Sequence, residues 1–149
     1  MLGGLAKWLR AAGYDAEFAG PIDDGQLVEM AELRRAILLT SDAPLMRRRA
    51  IQRGAVRALL VPRARPLLEQ TAFVLGTLSL PLLEARCIAC GGEIVPATLD
   101  EIGHAVPEIS RDVFQELWRC TRCERAYWKG AHWDGIVARR EAIARALSG

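Results

Sequence analysis

Two pairs of cysteines share one spacing, Cys87-Ile88-Ala89-Cys90 and Cys120-Thr121-Arg122-Cys123, and the chain holds no other cysteine. Thiolates spaced this way close on one metal ion, and two such pairs complete a tetrahedral four-sulfur zinc site. Two other chemistries also use paired cysteines. Disulfides need an oxidising compartment. A redox motif needs one CxxC opening a helix in a βαβ unit, and neither pair stands in that setting. Zinc is therefore the cofactor expected at Cys87, Cys90, Cys120 and Cys123.

A second chemistry belongs to acids in the first half. Asp23 and Asp24 stand just ahead of a helical pattern, and Asp42 follows the apolar run Ala36–Thr40 by two residues. In open parallel sheets, ligands bind beyond the carboxyl ends of the strands. Carboxylates gathered there are hard oxygen ligands for Mg²⁺ or Mn²⁺, ions that activate water and stabilise the leaving oxygen in phosphodiester cleavage. The plainer use of an aspartate at a helix start is as an N-cap, and spacing alone favours it.

Basic residues crowd the same region. Arg47, Arg48 and Arg49 follow Asp42, Arg53 lies a turn on, Arg63 and Arg65 follow the next apolar run, and Lys7 and Arg10 sit on the first helix. A basic rim around an acidic centre suits a phosphate backbone. A solvated helix face is the alternative, and for Arg49 and Arg53 the better one. Trp118, Tyr127, Trp128 and Trp133 surround the second knuckle. Such aromatics supply the small core a metal module lacks, with base stacking as the alternative use. His104 and His132 are surplus to a filled tetrahedral site and are left as surface, packing or RNA-contact residues.

These positions require a particular set of elements. Leu2, Leu5, Ala6, Leu9 and Ala12 recur at helical spacing, and Gly13 ends that helix. Residues 14–19 read as a strand, Gly20-Pro21 as a turn, and Asp23 or Asp24 as the cap of a second helix. Residues 36–40 and 55–61 read as buried strands, separated by a helix with Pro44 in its first turn that ends near Gly54. A helix from Leu67 to about Leu78 closes this half. Alternation with short loops implies an α/β fold with a parallel sheet and helices on both faces, although the series starts with a helix where a strand is expected. Residues 87–130 read as a zinc ribbon of short hairpins, with a short helix in the insert 98–114. An amphipathic helix over 131–147 ends the chain. The division expected is 1–83 for the α/β domain and 84–149 for the ribbon with its terminal helix.

At 149 residues and 51% hydrophobic content, the chain makes one ordinary domain, or a small one with an appendage. A net charge of +2 argues little for or against nucleic acid. Lys7 and Arg10 interrupt the first apolar stretch, so no signal peptide is expected. Glu69, Gln70, Gly76 and Pro81 break the longest apolar region, so no membrane span or membrane partner is expected. Four free thiols fit a soluble, reducing, cytoplasmic setting.

The segments LGGLAKWLRAAGYD, IDDGQL, LLTSD, the two CxxC knuckles and YWKGAHW occur in this order, and together they resemble the Mut-seven C-terminal RNase domain family. The resemblance runs through nearly the whole chain. It implies a PIN-like nuclease fold with an appended zinc ribbon, and a metal-dependent site built from acids at the sheet edge. By position, Asp23 and Asp24 match the family's acidic pair, Asp42 the acid after its central strand, and the four cysteines its zinc ligands. The family pattern also places a strand ending in aspartate ahead of the first helix, whereas this sequence opens on that helix. Sequence ahead of Met1, or a protein or ribonucleoprotein partner, would then complete the sheet.

The expected function is a Mg²⁺- or Mn²⁺-dependent ribonuclease. Asp23, Asp24 and Asp42 hold the ion, while Lys7, Arg10, Arg47, Arg48, Trp128 and His132 contact RNA. The alternative is a non-catalytic RNA- or ribonucleoprotein-binding protein on a degenerate nuclease scaffold.

Overall fold

The computed structural model describes residues 2–108 and 116–149. Helix α1, Leu2–Ala11, buries Leu5, Ala6 and Leu9 along one face. It ends where expected. Gly13 takes φ +103°, its N–H returns to Arg10 O, and that of Tyr14 to Leu9 O, the pairing by which a left-handed residue closes a helix.

Residues 14–19, expected as a strand, form none. Their amides are satisfied locally: Tyr14 N–H bonds Leu9 O, and Ala16 N–H bonds Tyr14 O. The Ala16 carbonyl accepts from Arg10 Nε at 2.8 Å. With these groups occupied, the segment has no ladder to offer. It and the first strand both line a groove of about 900 Å³.

Asp23 caps helix α2, Asp24–Arg34. Strand β1, Leu38–Thr40, pairs in parallel with β2, Ala58–Leu60, in the register Leu38↔Ala58. Between them, the single helix expected from Pro44 to Gly54 is split into a 3₁₀ turn, Pro44–Arg47, and helix α3, Arg49–Gln52. Arg48 breaks it with ψ 139°, and the Gln52 side chain bonds the freed Met46 carbonyl at 2.9 Å. Helix α4 spans Leu67–Thr77.

Adjacent strand residues serve opposite faces. Leu39 and Leu59 pack with Leu5, Leu9, Val74 and Leu75 of α1 and α4. Leu38 and Ala58 pack with Val28 and Ala31 of α2 and with Leu45 and Val56. The first half is thus a parallel pair with helices on both faces, the buried arrangement such strands need.

Strands β3 (Ile94–Pro96), β4 (Leu117–Cys120) and β5 (Ala126–Trp128) form an antiparallel sheet in the order β3-β4-β5. The helix expected in the insert is α5, Leu99–Ile102, closed by a Thr98–Glu101 capping box and followed by a 3₁₀ turn at Gly103–Ala105. The rest of that expectation falls at 109–115, outside the described residues.

Helix α6, Ala131–Ser148, crosses the boundary expected at residue 83. Its Ile136 is buried with Cys87, Cys120, Tyr127 and Ala11, and its Ile143 with Leu5, Leu9 and Val74. Among the described residues no helix is long and apolar enough to cross a membrane.

Candidate metal centre and acidic sheet edge

Cys87 and Cys90 stand on the turn before β3, Cys120 ends β4, and Cys123 lies on the turn into β5. The Sγ atoms of all four lie within 4.8 Å of one another, and none is in a disulfide. Cys87 and Cys123 are 3.6 Å apart, Cys90 and Cys120 3.4 Å. Tetrahedral zinc with Zn–S bonds of about 2.3 Å sets its sulfurs about 3.8 Å apart, so the set fits one zinc ion.

The surrounding backbone supports that fit. Gly92 N–H donates to Cys90 Sγ at 3.3 Å, and Arg122 N–H to Cys120 Sγ at 3.3 Å. A Cβ on Gly92 would meet Cys120 Sγ at 2.6 Å and Cys90 Sγ at 3.2 Å, so glycine leaves the sulfurs their room. Burial opposes ionisation of Cys87. Hydrogen bonds from Tyr127 and from the backbone of Cys90 and Ala89 outweigh it and carry the thiol down to about 7. Burial raises Cys90; it pushes Cys123 up to about 12, with the neighbouring thiols adding to the shift. Cys90 and Cys123 therefore resist ionising until a cation joins them.

This centre is fastened to the first half by three arginines. Arg10, expected at a phosphate backbone, is 9% exposed. Besides Ala16 O, it donates to Ile88 O at 2.8 Å and to Ala89 O at 3.3 Å, the carbonyls inside the first knuckle. Arg122 grips Asp15 with two hydrogen bonds of 3.0 and 2.8 Å. Arg140 of α6 donates to Ala11 O at 2.7 Å and also to Leu83 O.

The acids lie at the carboxyl edge of the parallel pair. Asp23 Oδ1 accepts from Gly25 N–H at 2.6 Å and Gln26 N–H at 3.1 Å, an N-cap in full. Asp24 faces Arg48 at 3.7 Å, a contact between exposed groups. Asp42 is exposed; its N–H is held by Thr40 Oγ1 at 3.0 Å. Among the described residues, the cysteines are the one group of three or more Cys, His, Asp or Glu side chains placed to share an ion. The three aspartates do not form a second.

Of the other residues singled out for RNA, Lys7, Arg47, Arg48 and His132 are exposed. Trp128 is half-buried against the cluster of Ile102, Val106, Leu117 and Ala126. Trp133 stacks on Trp118 with centroids 4.5 Å apart and planes 3° from parallel. Sequence reasoning did not reach the Asp15–Arg122 pair or the role of Tyr127. The four-residue step from Cys123 to Tyr127 was a usable signal for the second, because it sets the ring on the strand leaving the knuckle.

Fold and site together define a mixed α/β protein carrying a four-cysteine cluster that could hold a zinc ion. Residues 1–140 match the Mut7-C RNAse domain, and the chain belongs to that family. Membership points to a nuclease-like, RNA-related role. No curated protein and no solved structure matches the chain.

Proposed function

We propose that this chain is a PIN-like endoribonuclease that cleaves RNA phosphodiesters at the carboxyl edge of its parallel sheet, with a structural zinc ion on Cys87, Cys90, Cys120 and Cys123. The observation that carries this reading is the approach of the two acid-bearing segments to one another. Asp42 follows the end of β1, Asp23 and Asp24 open α2, and the Arg48–Asp24 contact draws the segment after Asp42 to the start of that helix. Exposed Lys7 and Arg47 are placed to meet a phosphate backbone, and the zinc module with His132 and the edge of Trp128 extends the RNA surface. Unbridged thiols suit a reducing, cytoplasmic setting.

As they stand, the three acids do not fit a Mg²⁺ or Mn²⁺ ion, since Asp23 is committed to two amides and Asp24 to Arg48. Further ligands have to come from another strand, and the groove beside β1 is where a strand would enter. Leu38 N–H and Thr40 O bond toward β2, so the pleat turns the N–H and C=O of Leu39 to the groove, where the described residues offer no strand partner. A protein or ribonucleoprotein partner supplying an extended apolar strand would complete the sheet. The Leu39 amide should then exchange quickly in the isolated chain; slow exchange there would mean the edge is already covered.

The same spread of carboxylates favours a second reading, a non-catalytic RNA-binding protein on this scaffold. Manganese-dependent cleavage of single-stranded RNA by wild type and Asp42→Asn separates the two. Activity lost in the variant, with RNA binding kept, supports the nuclease. Equal activity in both removes Asp42 from the mechanism, and binding without cleavage in either, once a strand covers the Leu39 edge, supports the second reading. One zinc per chain by elemental analysis is expected throughout.

A further inference from the structure

The Tyr127 hydroxyl is the feature of the metal centre that neither the zinc ligands nor the RNA reading accounts for. The side chain is 2% exposed and stands at the middle of β5, opposite Trp118. Its ring is wedged beside Trp133, edge on at 6.3 Å, with the Arg125 guanidinium 5.9 Å from its centroid. Packing alone would be served by phenylalanine. The hydroxyl, however, reaches two groups of the first knuckle: Ile88 N–H at 3.2 Å and Cys87 Sγ at 2.9 Å.

The direction of both bonds follows from their chemistry. An amide can only donate, so the Tyr127 oxygen accepts from Ile88 N–H. Its own proton is then free for the sulfur, and a metal-bound thiolate can only accept. Cys87 thus receives a side-chain O–H donor. It has this in addition to backbone donors from Cys90 and Ala89; Cys90 and Cys120 receive backbone N–H donors at 3.3 to 3.4 Å. Cys87 and Cys120 are also the two ligands at 0% exposure, where water cannot replace a missing donor. Groups just outside a metal's ligands orient those ligands and set how firmly the metal is held.

We propose that Tyr127 is a positioning residue of the metal centre: by donating its hydroxyl proton to the Cys87 sulfur while anchoring Ile88 N–H, it fixes the first knuckle on the ion and slows the ion's release. The proposal rests on the reading of the four cysteines as a zinc site. It ties β5 to the knuckle before β3 through a bond independent of the sheet ladder, so zinc retention becomes a property of the folded core as well as of the sulfurs.

The test uses the full chain loaded with Zn²⁺ and, in parallel, with Co²⁺ as a coloured substitute. Tyr127→Phe keeps the ring and removes the two bonds. Transfer of zinc to a chromogenic chelator is expected to be about tenfold faster or more in this variant. Its cobalt–thiolate charge-transfer band is expected at lower energy, because a sulfur relieved of a hydrogen bond gives up an electron more readily. Trp133→Phe is the control. It loosens the same core without removing a hydrogen bond to a sulfur, and should leave the cobalt band unmoved. Release and spectrum both unchanged in Tyr127→Phe would overturn the proposal, as would an equal band shift in Trp133→Phe. A wild-type chain without a tetrahedral cobalt–thiolate spectrum would overturn the zinc reading itself, a failure separable from the other two.

Discussion

At the scale of single residues, the centre depends on small groups with no freedom to change. Gly92 is one, because a methyl group there would press on two of the ligand sulfurs. Gly92→Ala should therefore weaken zinc binding measurably in competition with a chelator while leaving the α1–α4 core intact by circular dichroism; unchanged affinity would mean the sulfurs can spread at no cost. Asp15 makes a different kind of contact. Its hydrogen bond from Arg122, aided by the charges of Arg122, Arg86 and Arg10 and opposed by partial burial, holds its carboxyl below the usual range. A carboxylate so depressed contributes stability that is present above its unfolded pKa and fades as pH falls through the folded one. Wild type should thus be more stable than Asp15→Asn at neutral pH, with the difference shrinking below about pH 4. A gap that stayed constant with pH in denaturation curves would assign the effect to packing. Both partners are about half exposed, so the effect should be small and sensitive to salt.

Among the elements, α1 is the one on which both halves lean. It ends at Gly13, where a Cβ would meet Leu83 Cβ at 2.5 Å and Glu84 O at 2.7 Å in a backbone conformation that disfavours side chains. Gly13→Ala should cost about 2 kcal/mol or more in chemical denaturation; a loss well below that would show that the linker moves aside. This end of the helix was legible from sequence, as were α4, α6 and the two parallel strands, because each announces itself in its own residues: a period, a glycine or a run of apolar side chains. The strand expected at 14–19 carried a fair pattern too, but a strand exists only through a neighbour, and local bonds and Arg10 claimed its groups first. The helix expected over 44–54 breaks at Arg48, where the Gln52 side chain takes up the Met46 carbonyl in a bond that no periodicity records. For the site, the division is similar. Cysteine spacing declared the metal centre, since its ligands are local pairs. Arg10 was misplaced because its carbonyl partners lie 78 and 79 positions away, a distance that sequence pattern does not span.

Taken as a whole molecule, the metal centre is a third wall of the α/β half. The first knuckle's carbonyls hold Arg10, Arg10 holds Ala16, and residues 14–20 line the groove beside β1. Removing zinc should therefore do more than melt the antiparallel sheet. Hydrogen exchange after chelation should rise first across 87–96 and 117–128, and with it across 10–16. Protection kept at 10–16 while the cysteine sheet opens would show that this segment holds without the arginine clamps. The two halves would then count as separate units.

One property of α6 bears on how this protein comes into being. Ile143, near the end of the chain, is fully buried against Leu5 and Leu9, near its beginning. A ribosome delivers the first of these partners long before the last. Until α6 emerges, the apolar face of α1 has α4 and the parallel strands for cover but lacks Ile143. A nascent chain halted before Ile143 would leave a gap in that face, a mark for chaperones and proteases. Closure of the core over α1 thus waits on residue 143, so that a late element completes what an early one begins.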